Sequence, residues 1–104
     1  MKLFDLSGRR ALITGSSMGI GFALAKGLSA AGAQVVLNAR NAERLEEAAE
    51  KLRATGANVL TLAFDVTDAT AARQAIDTFE ADTGAIDILV NNAGMQHRAP
   101  LEDF

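Results

Sequence analysis

Short apolar runs alternate along this chain with longer segments of helical period, and glycines mark the joints between them. The first run, Arg10-Ala11-Leu12-Ile13-Thr14, stops at Gly15. The next segment repeats Ile20, Leu24 and Leu28 at i, i+4 and i+8 with small residues beside them. This predicts a helix closed by Gly32. A second run, Gln34-Val35-Val36-Leu37-Asn38-Ala39, leads to Asn41, a residue suited to capping a helix. The inner face of that helix is Leu45, Ala48, Ala49 and Leu52, and it ends at Thr55-Gly56. A third run over 58–64 stops at Asp65. Thr67 or Asp68 can cap the helix after it, which carries Ala72, Ala75, Ile76 and Phe79 on one face and Gly84 behind. The fourth run covers 86–91.

Strand–helix repeats of this length, with strands apolar almost throughout, predict right-handed β-α-β units and a parallel sheet covered on both faces. The expected fold is therefore α/β with a doubly wound parallel sheet, and a Rossmann-like arrangement of four such strands has the order 3-2-1-4. With 104 residues the chain has room for one domain, spanning 1–104. The absence of cysteine excludes disulfides, thiolate metal sites and a cysteine nucleophile, and suits a reducing, cytoplasmic location. A net charge of −3 without a cluster of Lys and Arg argues against nucleic acid or an anionic membrane as partner. No segment approaches the roughly 18 apolar residues of a membrane helix. The first ten residues lack the apolar run of a signal peptide. No His, Asp and Glu cluster has metal-ligand spacing, so no metal is expected.

The candidate chemistry begins where the first strand runs into Thr14-Gly15-Ser16-Ser17-Met18-Gly19-Ile20-Gly21. Glycines are needed where backbone turns sharply or approaches a ligand with no Cβ in the way. Here they open a helix, whose N–H groups and positive dipole end attract phosphate. The spacing is Gly-x-x-x-Gly-x-Gly rather than Gly-x-Gly-x-x-Gly, and no Gly-Lys-Ser/Thr follows as in a P-loop.

Together with Asp65-Val66 after the third strand and Asn91-Asn92-Ala93-Gly94 after the fourth, this turn resembles the short-chain dehydrogenase/reductase family. The likeness runs along the whole chain. It implies a nicotinamide dinucleotide lying across the strand ends. Gly15, Ser16, Ser17, Met18, Gly19 and Ile20 would wrap the pyrophosphate and adenosine ribose. Asp65 would accept from the adenine amino group, with the Val66 backbone beside it. Asn92, Ala93 and Gly94 would lie along the ribose nearer the nicotinamide. Read without the resemblance, Asp65 is a helix-capping carboxylate and 91–94 a turn that ends a strand.

Dinucleotide folds that prefer NAD place an acid at the end of strand two, about 20 residues past the first glycine. This chain has no Asp or Glu between Asp5 and Glu43, and Arg40 holds the first loop position. A guanidinium fork there suits a 2′-phosphate, which an acid would repel. NADP(H) is therefore expected ahead of NAD(H). The same missing acid argues against a methyltransferase-like domain.

Hydride transfer to a carbonyl also needs a proton donor at the developing alkoxide. The family uses a Ser and a Tyr-x-x-x-Lys segment beyond the fourth strand, and this chain has no tyrosine. The expectation is the N-terminal, cofactor-binding half of a longer oxidoreductase, an oligomer in its parent form. The alternative is a non-enzymatic nucleotide-binding or interaction module ending at Phe104. The tail through Met95-Gln96-His97-Arg98 resembles that of gluconate 5-dehydrogenases within the family, implying a polyol or sugar-acid substrate. Arg98 is the residue expected to pair with a substrate carboxylate.

Overall fold

The computed structural model describes residues 5–92, and within them the chain alternates strand and helix throughout. The elements are β1 (Arg10–Ile13), α1 (Gly19–Ala30), β2 (Gln34–Ala39), α2 (Ala42–Arg53), β3 (Val59–Ala63), α3 (Ala69–Asp82) and β4 (Ile88–Val90). All three strand pairings are parallel, as the strand–helix rhythm predicts, and the order is the Rossmann-like β3-β2-β1-β4. The strands step outward from β1 to β2 to β3, and then β4 returns to the other side of β1. The strand order thus reverses at β1, and open α/β sheets form a ligand crevice beyond the carboxyl ends of the strands at such a reversal.

Successive strand residues face opposite sides of the sheet, so each central strand feeds two cores. Ala11, Ile13, Val35 and Leu37 pack with Ala25 of α1 and with Leu45, Ala48, Ala49 and Leu52 of α2. Leu12 and Val36 point the other way, to Phe64 and to Phe79 of α3, with Leu60, Leu62, Ala72, Ala75 and Ile76 alongside. The expected inner faces of α2 and α3 are thus the observed ones. Burying a leucine such as Leu45 or Leu52 is worth roughly 1.5–3 kcal/mol, so a few such side chains hold each helix down.

Two details depart from the periodic pattern. In α1 the buried residues are Gly21 and Ala25, while Ile20 is 65% and Leu24 36% exposed. Small residues let this helix lie close to the sheet; Phe22 and Leu28 pack at the margin of the core, while Ile20 and Leu24 turn outward. Gly32, at φ +106°, ends the helix as expected. In β4, Leu89 lies opposite the fully buried Leu12 yet is 61% exposed. The described sheet is covered on both faces at its centre and stays open on one face at β4.

Candidate functional site

Because the strands are parallel, the segments after β1, β2, β3 and β4 all emerge at one edge of the sheet. The turn after β1 is held from within. Ser16 is fully buried; its hydroxyl donates to the Ile13 carbonyl (2.7 Å) and accepts from the Asn38 N–H (2.8 Å). Its N–H donates to the Asn38 carbonyl (2.8 Å). Ser16 therefore continues the β1–β2 ladder past Ile13, and its polar groups serve the scaffold. Gly15 and Gly19 sit at φ +59° and +62°, a left-handed backbone that a side chain strains to adopt.

Gly21 has a different reason to be glycine. A Cβ there would collide with the Gly15 carbonyl, with Asn92 Nδ2 (2.6 Å) and with Ser16 Cα (2.9 Å). The turn folds back directly onto the first helical turn, and only hydrogen fits between. Asn92, 1% exposed, locks the same place by donating from Nδ2 to the Gly15 carbonyl (3.1 Å). Thr14 adds a second tie from the β1 end to the β4 end, donating through its N–H to the Val90 carbonyl (3.0 Å) and through its hydroxyl to Asn91 Oδ1 (3.3 Å).

α2 and α3 are capped by their own side chains: Asn41 accepts from the Arg44 N–H and Asp68 from the Ala71 N–H. No side chain caps α1 at Met18. Its first turn, exposed at Met18, Gly19 and Ile20, combines helix N–H groups with the positive dipole end. That combination suits a phosphate.

Arg40 follows directly on β2 and is 78% exposed in its side chain; its Nη1 lies 3.7 Å from Oδ2 of Asp65, which follows β3. Oδ1 of Asp65 accepts from both the N–H (2.9 Å) and the hydroxyl (2.7 Å) of Thr67. The Thr67 hydroxyl first, then its N–H, and behind them the Arg40 charge hold the Asp65 carboxyl below the ordinary carboxylate range. Asp65 is not the helix cap, since that part falls to Asp68. With Oδ1 taken by Thr67, Oδ2 faces Arg40 and the strand ends. The half-buried Val66 packs its side chain into the α3 core.

One residue of the site goes unread in the sequence. Asn38, 1% exposed, accepts from the Gly15 N–H at Oδ1 (3.0 Å) and donates from Nδ2 to the carbonyls of Leu62 (3.0 Å) and Phe64 (3.2 Å). Its signal is an amide at the far end of a strand that is apolar from Val35 to Leu37, two positions before Arg40.

The structure thus brings Gly15, Ser16, Ser17, Met18, Gly19, Ile20, Arg40, Asp65, Val66 and Asn92 to one edge. Ala93, Gly94, His97 and Arg98 lie outside the described residues. A groove of about 540 Å³ between the ends of α1 and α2, lined by Ser29, Gly32, Thr55 and Asn58 among others, sits at the opposite end of the strands. It plays no part in this site. Among the described residues no group of His, Asp and Glu could hold a metal ion, and no helix is long and apolar enough to cross a membrane.

Comparison with known proteins agrees with this geometry. The family model described as short chain dehydrogenase matches residues 9–104. A gluconate 5-dehydrogenase of Gluconobacter oxydans is 57% identical over 102 residues, which cover 98% of this chain and 40% of that protein. A 5-keto-D-gluconate 5-reductase of Escherichia coli is 48% identical over 102 residues, with the same coverage. A crystal structure of a gluconate 5-dehydrogenase from Burkholderia cenocepacia, in complex with NADP and tartrate, aligns with a TM-score of 0.84 at 55% identity. That alignment covers 97% of this chain and 40% of the other. The chain spans about 40% of the length of the curated relatives it matches. With the glycine turn, the Asp65-Val66 strand end and the Asn91-Asn92 strand end on one sheet edge, and a family model covering residues 9–104, the chain belongs to the short-chain dehydrogenase family.

Proposed function

We propose that this chain is the dinucleotide-binding part of an oxidoreductase that moves a hydride between NADP(H) and an alcohol or carbonyl group, on a sugar acid such as gluconate. The observation that carries the cofactor choice is Arg40. It stands exposed at the end of β2, 3.7 Å from Asp65, in a stretch without any acid between Asp5 and Glu43. In the cofactor role, Ser17, Met18, Gly19 and Ile20 offer backbone to the pyrophosphate, with Gly15 and Ser16 shaping the turn. Arg40 takes the 2′-phosphate, Asp65 and Val66 the adenine, and Asn92, Ala93 and Gly94 the ribose on the nicotinamide side. Bound, the dinucleotide supplies the hydride. The chain's own part is to bind and orient it at the strand ends. Support comes from the similar enzyme solved with NADP and tartrate and from the gluconate and keto-gluconate activities of the relatives. NAD(H) is the weaker alternative.

Arg98 is proposed to pair with the substrate carboxylate, and the proton donor to come from outside residues 5–92. A homo-oligomeric, cytoplasmic enzyme without nucleic-acid or membrane partners completes the reading, in keeping with a cysteine-free chain of mild negative charge.

The test is titration of the full-length protein with NADPH and NADH. NADPH should bind at least about tenfold tighter, the size of one good charge-assisted contact. Arg40→Ala should erase that difference while leaving NADH affinity in place. Equal affinity in the unsubstituted protein overturns the NADP(H) preference. Binding of neither overturns the dinucleotide reading.

A further inference from the structure

We propose that Asn38 is the positioning residue that sets the separation between the two cofactor-binding turns, the pyrophosphate turn after β1 and the adenine-side strand end after β3. This rests on the dinucleotide reading above. β1 and β3 are not neighbours, because β2 lies between them. The regular β1–β2 pairing stops at Ile13 with Leu37, and the β2–β3 pairing stops at Ala39 with Ala63. Asn38 sits between those two endpoints and reaches both ways.

A side-chain amide has one carbonyl oxygen and two N–H donors. In Asn38 they are divided between the two turns. Oδ1 takes the Gly15 N–H, while Nδ2 gives to Leu62 and to Phe64, the residue before Asp65. Its own backbone N–H and carbonyl hold Ser16. At 1% exposure, water does not stand in for these bonds. A buried polar group whose partners are all satisfied admits one arrangement and penalises the others. Leucine would match much of the volume and join nothing.

A consequence follows for the turn. The N–H groups of Gly15 and Ser16 are both spent on Asn38, so the donors left for a phosphate begin at Ser17.

The experiment uses the full-length protein and two ligands. NADPH spans both turns, whereas adenosine 2′-phosphate, which carries no 5′-phosphate for the glycine turn, reaches only the Arg40–Asp65 end. Asn38→Ala should weaken NADPH at least about tenfold and the fragment less than about threefold, because one turn shifts relative to the other. Leu52→Ala, buried at the far end of α2, serves as the control for stability loss and should leave both affinities unchanged. Unchanged NADPH affinity in Asn38→Ala overturns the proposal. So does an equal loss for both ligands, or the same loss in Leu52→Ala. If Asn38→Ala does not fold, amide hydrogen exchange in the unsubstituted protein decides. Gly15 should be protected without nucleotide and unchanged by NADPH; protection that appears only with NADPH overturns the proposal. If the unsubstituted protein binds no NADPH, the dinucleotide reading fails first and this inference with it.

Discussion

Gly21 and Gly27 lie on the same helix and should answer the same substitution in opposite directions. A methyl group on Gly21 runs into the Gly15 carbonyl and Asn92, whereas one on Gly27 meets nothing within 4 Å. Gly21→Ala is expected to cost about 1–3 kcal/mol, the usual penalty for overfilling a packed contact. Gly27→Ala should add about 0.5–1 kcal/mol, because alanine loses less backbone freedom in a helix interior. Denaturant unfolding of both variants measures this, and a neutral Gly21→Ala would remove the close approach from the account. Asp65 carries a pH signature. Its folded pKa is depressed, by Thr67 first and Arg40 after. The carboxylate therefore adds stability above its unfolded pKa of about 3.9, and that contribution is lost as pH falls through the lower folded value. Asp65→Asn should thus be less stable than the unsubstituted protein at neutral pH, with the gap closing below about pH 4. Thermal unfolding across that range checks the sign; a gap of constant size would place the effect in packing instead.

At the scale of elements, the two helices with side-chain caps differ from the one without. Asn41 and Asp68 each accept a hydrogen bond of 3.0 Å from the third residue after them. Asp68→Ala should cost about 1 kcal/mol, within the range of about 0.5–2 kcal/mol for lost caps, read as a lower midpoint in urea. These elements were the readable ones: the α2 cap and inner face, and the α3 face, follow from local chemistry and a 3.6-residue period. The α1 stripe holds at Leu28 and fails at Ile20 and Leu24, for a physical reason. Large apolar side chains at i, i+4 and i+8 mark a buried face when helices pack at ordinary distance, but a helix with Gly21 and Ala25 inward packs closer and leaves Ile20 and Leu24 outside. The α3 cap was legible as Thr67 or Asp68, and the structure chooses Asp68, which removes the capping reading of Asp65.

For the whole molecule, the order β3-β2-β1-β4 leaves β4 with one paired side among the described strands, and Leu89 exposed beside it. An open, apolar strand edge invites pairing with another chain. The 104-residue chain on its own is therefore expected to self-associate, and Leu89→Lys to lessen the association, as light scattering would record. A monodisperse monomer of the unsubstituted chain would refute this. The same topology explains which parts of the site could be anticipated. Strand, turn and helix follow one another along consecutive residues, so the α/β class and the three strand-end motifs were legible before any coordinates, and the strand order came from the Rossmann-like arrangement they imply. Contacts that join distant residues were not. Asn38 finds its side-chain partners 23 to 26 positions away, and Asn92 reaches Gly15 across 77. Arg40 meets Asp65 only because β2 and β3 end side by side. Period and propensity act over a few residues, whereas burial and hydrogen-bond satisfaction depend on which strands become neighbours. Only the folded sheet shows that the Asn38 amide joins the turn after β1 to the end of β3.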